Sequence, residues 1–178
     1  MTDFSACFDD FQLSAFRLET LQRYDVPAEA DRIAAWREHR PMPERSPRTN
    51  PFLRRVAETT AAGKQWSRVH VLDLPLSEYV RFELETYRES ARAGERVWLV
   101  GRGADPALSH LHRDFWLFDA GTRHAVAVLM EYDQDGRYLD ATVTTDRDDI
   151  MACTAARDLA LRHAVPLDRY LGREAEVA

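Results

Sequence analysis

Lysine is all but missing from this chain: Lys64 stands alone, and arginine supplies the remainder of its 24 basic side chains. Guanidinium groups make forked bonds to oxyanions, so the bias invites a phosphate- or nucleic-acid-binding reading. Against it stand 30 acidic residues, which bring the net charge to −6 and exclude a uniformly basic surface that tracks a nucleic-acid backbone. Direct nucleic-acid binding is therefore not expected. Cysteine is scarce as well, and Cys7 and Cys153 lie far apart, so both are expected to be thiols rather than halves of a disulfide. No apolar run approaches the roughly 18 residues that a membrane-crossing helix needs. The opening Met1-Thr2-Asp3-Phe4-Ser5 has neither the charge nor the apolar stretch of a secretory signal, so the expectation is a cytoplasmic protein with no membrane partner.

Catalytic signatures are missing too. Gly101-Arg102-Gly103 and Gly63-Lys64 lack the glycine spacing and following hydroxyl of a phosphate-binding loop, and no serine sits in a nucleophile elbow. His110, His112 and Asp114 form the nearest metal-like grouping, but no helical His-Glu-x-x-His accompanies them. Asp133, Asp135 and Asp140 resemble a calcium loop only superficially, because Gly136 falls too early and the later glutamate is misplaced; Asp135-Gly136 reads as a hairpin turn. No catalytic residue, metal or cofactor is assigned on these grounds. Convergence of Asp114 or Glu95 with His70 is the one route left open to acid–base chemistry.

What is present specifies a fold class. With 178 residues, 45% apolar and 30% charged, the chain suits a single globular domain over 1–178. A Pro/Arg-rich connector at 40–51 interrupts it and can set off a small N-terminal lobe, 1–39. Helical patterning covers 5–11, 28–39, 50–62, 76–91 and the segment from Asp148 or Asp149 to about His163. Strand patterning covers 14–22, 66–72, 96–100, 115–118, 124–132 and 138–144, with a short turn or helix after Val165. The close succession of the later strands predicts antiparallel pairing. The expected class is α+β, a mainly antiparallel sheet of about five or six strands packed with several helices.

Charge is segregated along the chain. Residues 32–55 carry seven arginines against Glu38 and Glu44, and residues 131–149 carry seven carboxylates against Arg137 and Arg147. The two segments can attract each other within one molecule or between two copies, as in a homodimer. The strongest candidate ligand- or partner-binding surface combines Arg17, Arg68, His70, Tyr79 and Arg81 with an aromatic wall from Trp66 or Trp116. Period-two spacing puts Arg68 and His70 on one strand face, where guanidinium and ring together suit a small anionic ligand. The alternative is that the arginines pair with Glu19, Glu78, Glu83 or Glu95, and that the aromatic rings belong to the core.

The segments Phe16-Arg17-Leu18-Glu19-Thr20-Leu21, Trp66-Ser67-Arg68-Val69-His70-Val71 and Pro75-Leu76-Ser77-Glu78-Tyr79-Val80-Arg81-Phe82-Glu83 occur in that order. They are followed by Ala93-Gly94-Glu95, Phe115-Trp116-Leu117-Phe118-Asp119 and Arg157-Asp158-Leu159-Ala160-Leu161. Together they resemble an uncharacterised, mainly actinobacterial family of small soluble proteins often encoded near helix-turn-helix regulators. The resemblance implies a non-enzymatic accessory or regulatory protein acting through protein–protein contacts, with a helix-turn-helix regulator or another protein as partner. Small anionic-ligand binding or metabolism is the competing expectation.

Overall fold

The computed structural model describes the backbone of residues 2–177 and the side chains of residues 2–172. Its chain order is α1 (Ser5–Asp10), β1 (Ser14–Glu19), α2 (Ala30–Arg37), α3 (Pro51–Ala61), β2 (Gln65–Leu72), α4 (Glu78–Ala93) and β3 (Glu95–Gly101). There follow β4 (Phe115–Phe118), β5 (Val126–Tyr132), β6 (Tyr138–Thr144), α5 (Arg147–His163), β7 (Val165–Pro166) and α6 (Leu167–Val177). The seven strands make one mixed sheet in the order β6-β5-β4-β1-β2-β3-β7.

The expected class is met as α+β, and the expectation of a mainly antiparallel sheet of five or six strands is roughly right: the sheet is mixed and has seven strands. Four ladders are antiparallel, while the central ones, β1–β2 and β2–β3, are parallel. Parallel neighbours require a long crossover. Helices α2 and α3 supply one between β1 and β2, and α4 supplies the other. The missed strand is β7, whose two residues are too short for any periodicity and hold Pro166 at a sheet edge, where its missing N–H costs least.

Local chemistry sets the helix limits. The Asn50 side chain accepts from Leu53 N ahead of Pro51, and Ser77 Oγ accepts from Val80 N at the start of α4. For α5 the cap is Asp146, which accepts from the amides of Asp148 and Asp149, so the sequence expectation lay two or three residues late. Gly94 ends α4 with φ 113°, and a β-carbon there would lie 3.0 Å from Thr60. The short turn or helix expected after Val165 is a longer helix, α6, running from Leu167 to Val177.

Both sheet faces are covered. On one, Phe16, Leu18, Val69, Val71, Val100, Leu117 and Ala127 meet Cys153 and Ala160 of α5. On the other, α1 with the following Phe11 and α3 bring Phe8, Phe11, Leu53 and Val56 onto Trp66, Trp116 and Phe118, while α4 brings Val80, Leu84 and Tyr87 onto Leu72, Val97 and Leu99. A polar band lies on this second face between the two apolar clusters.

Arginines of the segment 32–55 turn inward or pair locally. Arg32 binds Glu89 of α4 at 2.7 and 2.8 Å, Arg45 reaches Thr86 O and Ser90 Oγ, Arg37 pairs with Glu78, and Arg48 with Glu44. The connector 40–51 is thereby fastened along α4.

Candidate functional site

Strand register assembles the polar band. Along β1 the residues Ala15, Arg17 and Glu19 share a face, and parallel pairing sets Arg17 beside Arg68 and Glu19 beside His70. On the other side Arg17 lies opposite Trp116, and one strand beyond β2 Glu95 lies beside Trp66. Helix α4 lays Tyr79, Glu83 and Tyr87 over them, four residues apart and so on one stripe. Glu19 closes β1 and His70 lies near the end of β2.

Buried charges this dense must be paired to be tolerated. Arg17 Nη2 donates to Asp114 Oδ2 at 2.7 Å and to Tyr132 OH at 3.1 Å, and its Nε lies 3.5 Å from Glu19 Oε1. Arg68 donates from Nη1 to Glu19 Oε1 at 2.7 Å and from Nε to Glu95 Oε1 at 3.0 Å. Its guanidinium carbon stands 5.3 Å from the Tyr87 ring centre and 6.0 Å from that of Trp116. Asp114 accepts from Thr20 N and Oγ1, both at 2.8 Å, and from Tyr24 OH at 2.6 Å. Tyr79 OH donates to Glu29 Oε2 at 2.9 Å.

His70 is fully buried and occupied on both nitrogens. Nε2 lies 2.6 Å from Leu21 O, and because a carbonyl only accepts, Nε2 carries a proton. Nδ1 lies 2.8 Å from Tyr87 OH, which itself donates to Glu19 Oε2 at 2.7 Å. With its proton given to Glu19, the Tyr87 oxygen accepts from a protonated Nδ1, so this arrangement holds His70 as an imidazolium. Burial opposes that charge, but Glu83, with Oε2 3.3 Å from Nδ1, and Glu19 raise the pKa of His70 overall. Burial also pushes the Glu19 carboxyl up; Arg68 and Arg17 outweigh it and bring the value down to about 2. Glu83 moves the other way, raised by burial and by the nearby Glu19 carboxylate.

The band opens into a cleft of about 260 Å³ lined by Arg17, Glu19, Tyr24, Glu29, Arg68, Tyr79, Glu83 and Tyr132, among others. The loop holding Tyr24 is pinned to the β5–β6 hairpin: Asp25 N donates to Gly136 O, and Gly136, at φ 80°, lies so close that a β-carbon there would be 2.2 Å from Arg23 O. Two buried oxygens of the lining, Glu83 Oε2 and Tyr138 OH, have no hydrogen-bond partner. Glu83 Oε2 is within ion-pair distance of His70 but lacks the geometry of a bond to it. Glu19, His70 and Glu83 also place one ligand atom each within 4.8 Å of one another, which makes them the metal-compatible group of the described residues. A larger cleft, about 600 Å³, lies along β3, β7 and α6 beside Trp98, Leu167 and Leu171. It is mainly apolar and lacks a comparable convergence of bonded polar groups.

Of the residues singled out in the sequence, Arg17, Arg68, His70, Tyr79 and Trp116 come together here, in a buried band instead of on a surface. Trp66 lies deeper, stacked on Phe8 at 5.9 Å and donating its indole N–H to Thr59 Oγ1. Arg81 is exposed on the outer side of α4, about 200° around the helix from the stripe that faces the sheet. Glu83, assigned by the sequence to an exposed ion pair, is 5% exposed and belongs to the cleft. His110 and His112 are exposed while Asp114 is buried and bonded inward, so these three do not converge. Asp133 accepts from Asp135 N and Arg137 N, as a turn residue does, and Cys7 and Cys153 are free thiols.

The fold and cleft define an α+β domain with a mixed sheet and a small cleft over a buried band of paired charges. Residues 2–172 match the model of a domain of unknown function, DUF6879, and the chain belongs to that family. No curated protein and no solved structure matches it. Among the described residues, no helix is long and apolar enough to cross a membrane.

Proposed function

We propose that this chain is a ligand-binding domain whose cleft takes a small, positively charged ligand. One observation carries the reading: carboxylates outnumber cations around the cleft, and a buried carboxylate oxygen, Glu83 Oε2, lacks a hydrogen-bond donor. In the lining Glu19, Asp25, Glu29 and Glu83 stand against Arg17 and Arg68; behind it Asp114 and Glu95 face the same two guanidiniums, Glu83 faces His70, and Arg45 acts on Glu29 and Glu95. Each guanidinium is already bridged between two carboxylates, Arg17 by Asp114 and Glu19, Arg68 by Glu19 and Glu95. Neither has its charge left over for an anion. The small anionic ligand expected from the arginine–aromatic pattern is for this reason the weaker reading. Tyr24, Tyr79 and Tyr132 add rings to the lining, and aromatic faces attract cations.

A thermal-shift panel tests the proposal with divalent metal ions, diamines and guanidines on one side and phosphate and small carboxylates on the other. A ligand present at about 100 times its Kd stabilises the folded state by roughly 2.7 kcal/mol. The expected result is stabilisation by a member of the cationic set, reduced in Glu83→Gln. Stabilisation by anions alone would refute the charge assignment.

A further inference from the structure

We propose that the cation is a divalent transition-metal ion, held by a Glu19 carboxylate oxygen, His70 Nδ1 and Glu83 Oε2, with Glu19 and Glu83 at the floor of the cleft and His70 buried behind them; this rests on the cation reading above and names its ligand. The donors come from three separate elements, the end of β1, β2 and α4, and their residues are all buried, with their ligand atoms within 4.8 Å of one another. Sequence separation of this kind leaves no local motif, which is why the exposed His110 and His112 drew attention first.

The surroundings match what a metal histidine requires. Nε2 donates to the Leu21 carbonyl, and that bond fixes both the ring orientation and the nitrogen available for coordination, Nδ1. Glu19 is oriented from Oε1 by Arg68 at 2.7 Å, which leaves Oε2 to Tyr87 OH, the hydroxyl that also meets Nδ1. Tyr87 OH lies 2.7 Å from Glu19 Oε2 and 2.8 Å from Nδ1, in place to give a fourth oxygen. Glu83 Oε2, buried and unbonded, is the donor that the protein's own hydrogen bonds leave unused. One imidazole nitrogen with carboxylate oxygens suits zinc and manganese, and the narrow spacing excludes a bulkier organic ammonium group from the floor.

Isothermal titration of chelator-stripped protein with Zn²⁺ and Mn²⁺ reads stoichiometry and affinity together. The expected result is one tight site per chain, zinc above manganese in the usual order of affinities. Glu83→Gln should weaken the site by at least roughly 100-fold, beyond the 10–100-fold typical of losing an outer partner, while its circular dichroism stays native. A His110→Ala/His112→Ala double variant should keep the site intact. X-ray absorption of the zinc-loaded chain should show one imidazole with oxygen neighbours, a readout independent of any variant's folding. Absence of a one-per-chain site, loss of it in the double variant, or a shell of two or more histidines overturns the assignment. Binding of diamines or guanidines without metal binding also sinks the metal assignment but leaves the cation reading standing; failure of every cation sinks both.

Discussion

Replacement of Asp114 by asparagine removes one charge and almost no volume from the polar band. Asp114 is 2% exposed and accepts from Arg17, Thr20 N, Thr20 Oγ1 and Tyr24. Asparagine keeps one acceptor oxygen for Thr20, and Tyr24 can turn its hydroxyl to accept from the new amide. What is lost is the charge opposite Arg17, whose remaining carboxylate contact, to Glu19, is long at 3.5 Å. Breaking a buried pair from one side costs about 3–5 kcal/mol, because the partner stays buried and uncompensated. That is a large share of the 5–15 kcal/mol by which folded domains usually exceed their unfolded chains. Urea unfolding followed by circular dichroism gives the difference directly, with the slope checked for constancy. Arg17→Met/Asp114→Asn should be less destabilised than the sum of its two single variants, since each replacement removes the other's orphan. A loss under about 1 kcal/mol in Asp114→Asn would refute the view that this ion pair is internal and obligatory.

Acid should expose the Glu19 pairing: its folded value of about 2 lies below the unfolded 4.5. A depressed carboxylate contributes stability that is fully present above the unfolded value and is lost as pH falls through the folded one, here a contribution of about 3 kcal/mol. Urea midpoints taken from about pH 5 downward should therefore fall more steeply for the wild type than for Glu19→Gln. Gly136→Ala combines a left-handed backbone with the contact on Arg23 O and should cost about 1–3 kcal/mol. It should also speed hydrogen exchange at the Asp25 amide, whereas Gly63→Ala, at φ 93° with open space around it, should leave Asp25 exchange unchanged. Arg81→Ala, on the outer side of α4, should change stability by less than about 0.5 kcal/mol and leave cation binding intact.

Periodicity made much of the fold legible. Alternation in β1 and β2 showed which side chains share a face, and the helical spacing over 50–62 and 76–91 matches α3 and α4 to within about two residues. The parallel centre was harder to read, because the helices that serve as crossovers carry no sign of which strands they join. In the cleft, Arg17, Arg68 and His70 were accessible through their period, but their burial was not: a charged residue in an alternating strand reads as exposed until a helix covers that face. Tyr79, Glu83 and Tyr87 already formed a stripe at four-residue spacing, so the inward direction of Glu83 was available from the helix period. Charge alone had assigned it to solvent. Tyr24, Glu29 and Tyr132 come from a loop, a short turn and a distant hairpin, and only the docking of Gly136 against Arg23 brings those segments together.

The sign of the ligand's charge is tested most directly by equilibrium titration of the native protein with one divalent cation and one divalent anion, Zn²⁺ and hydrogen phosphate, with Glu83→Gln alongside. Saturable binding of the cation, weakened in the variant, with none of the anion is the predicted result. Saturable phosphate binding with no cation bound would contradict it.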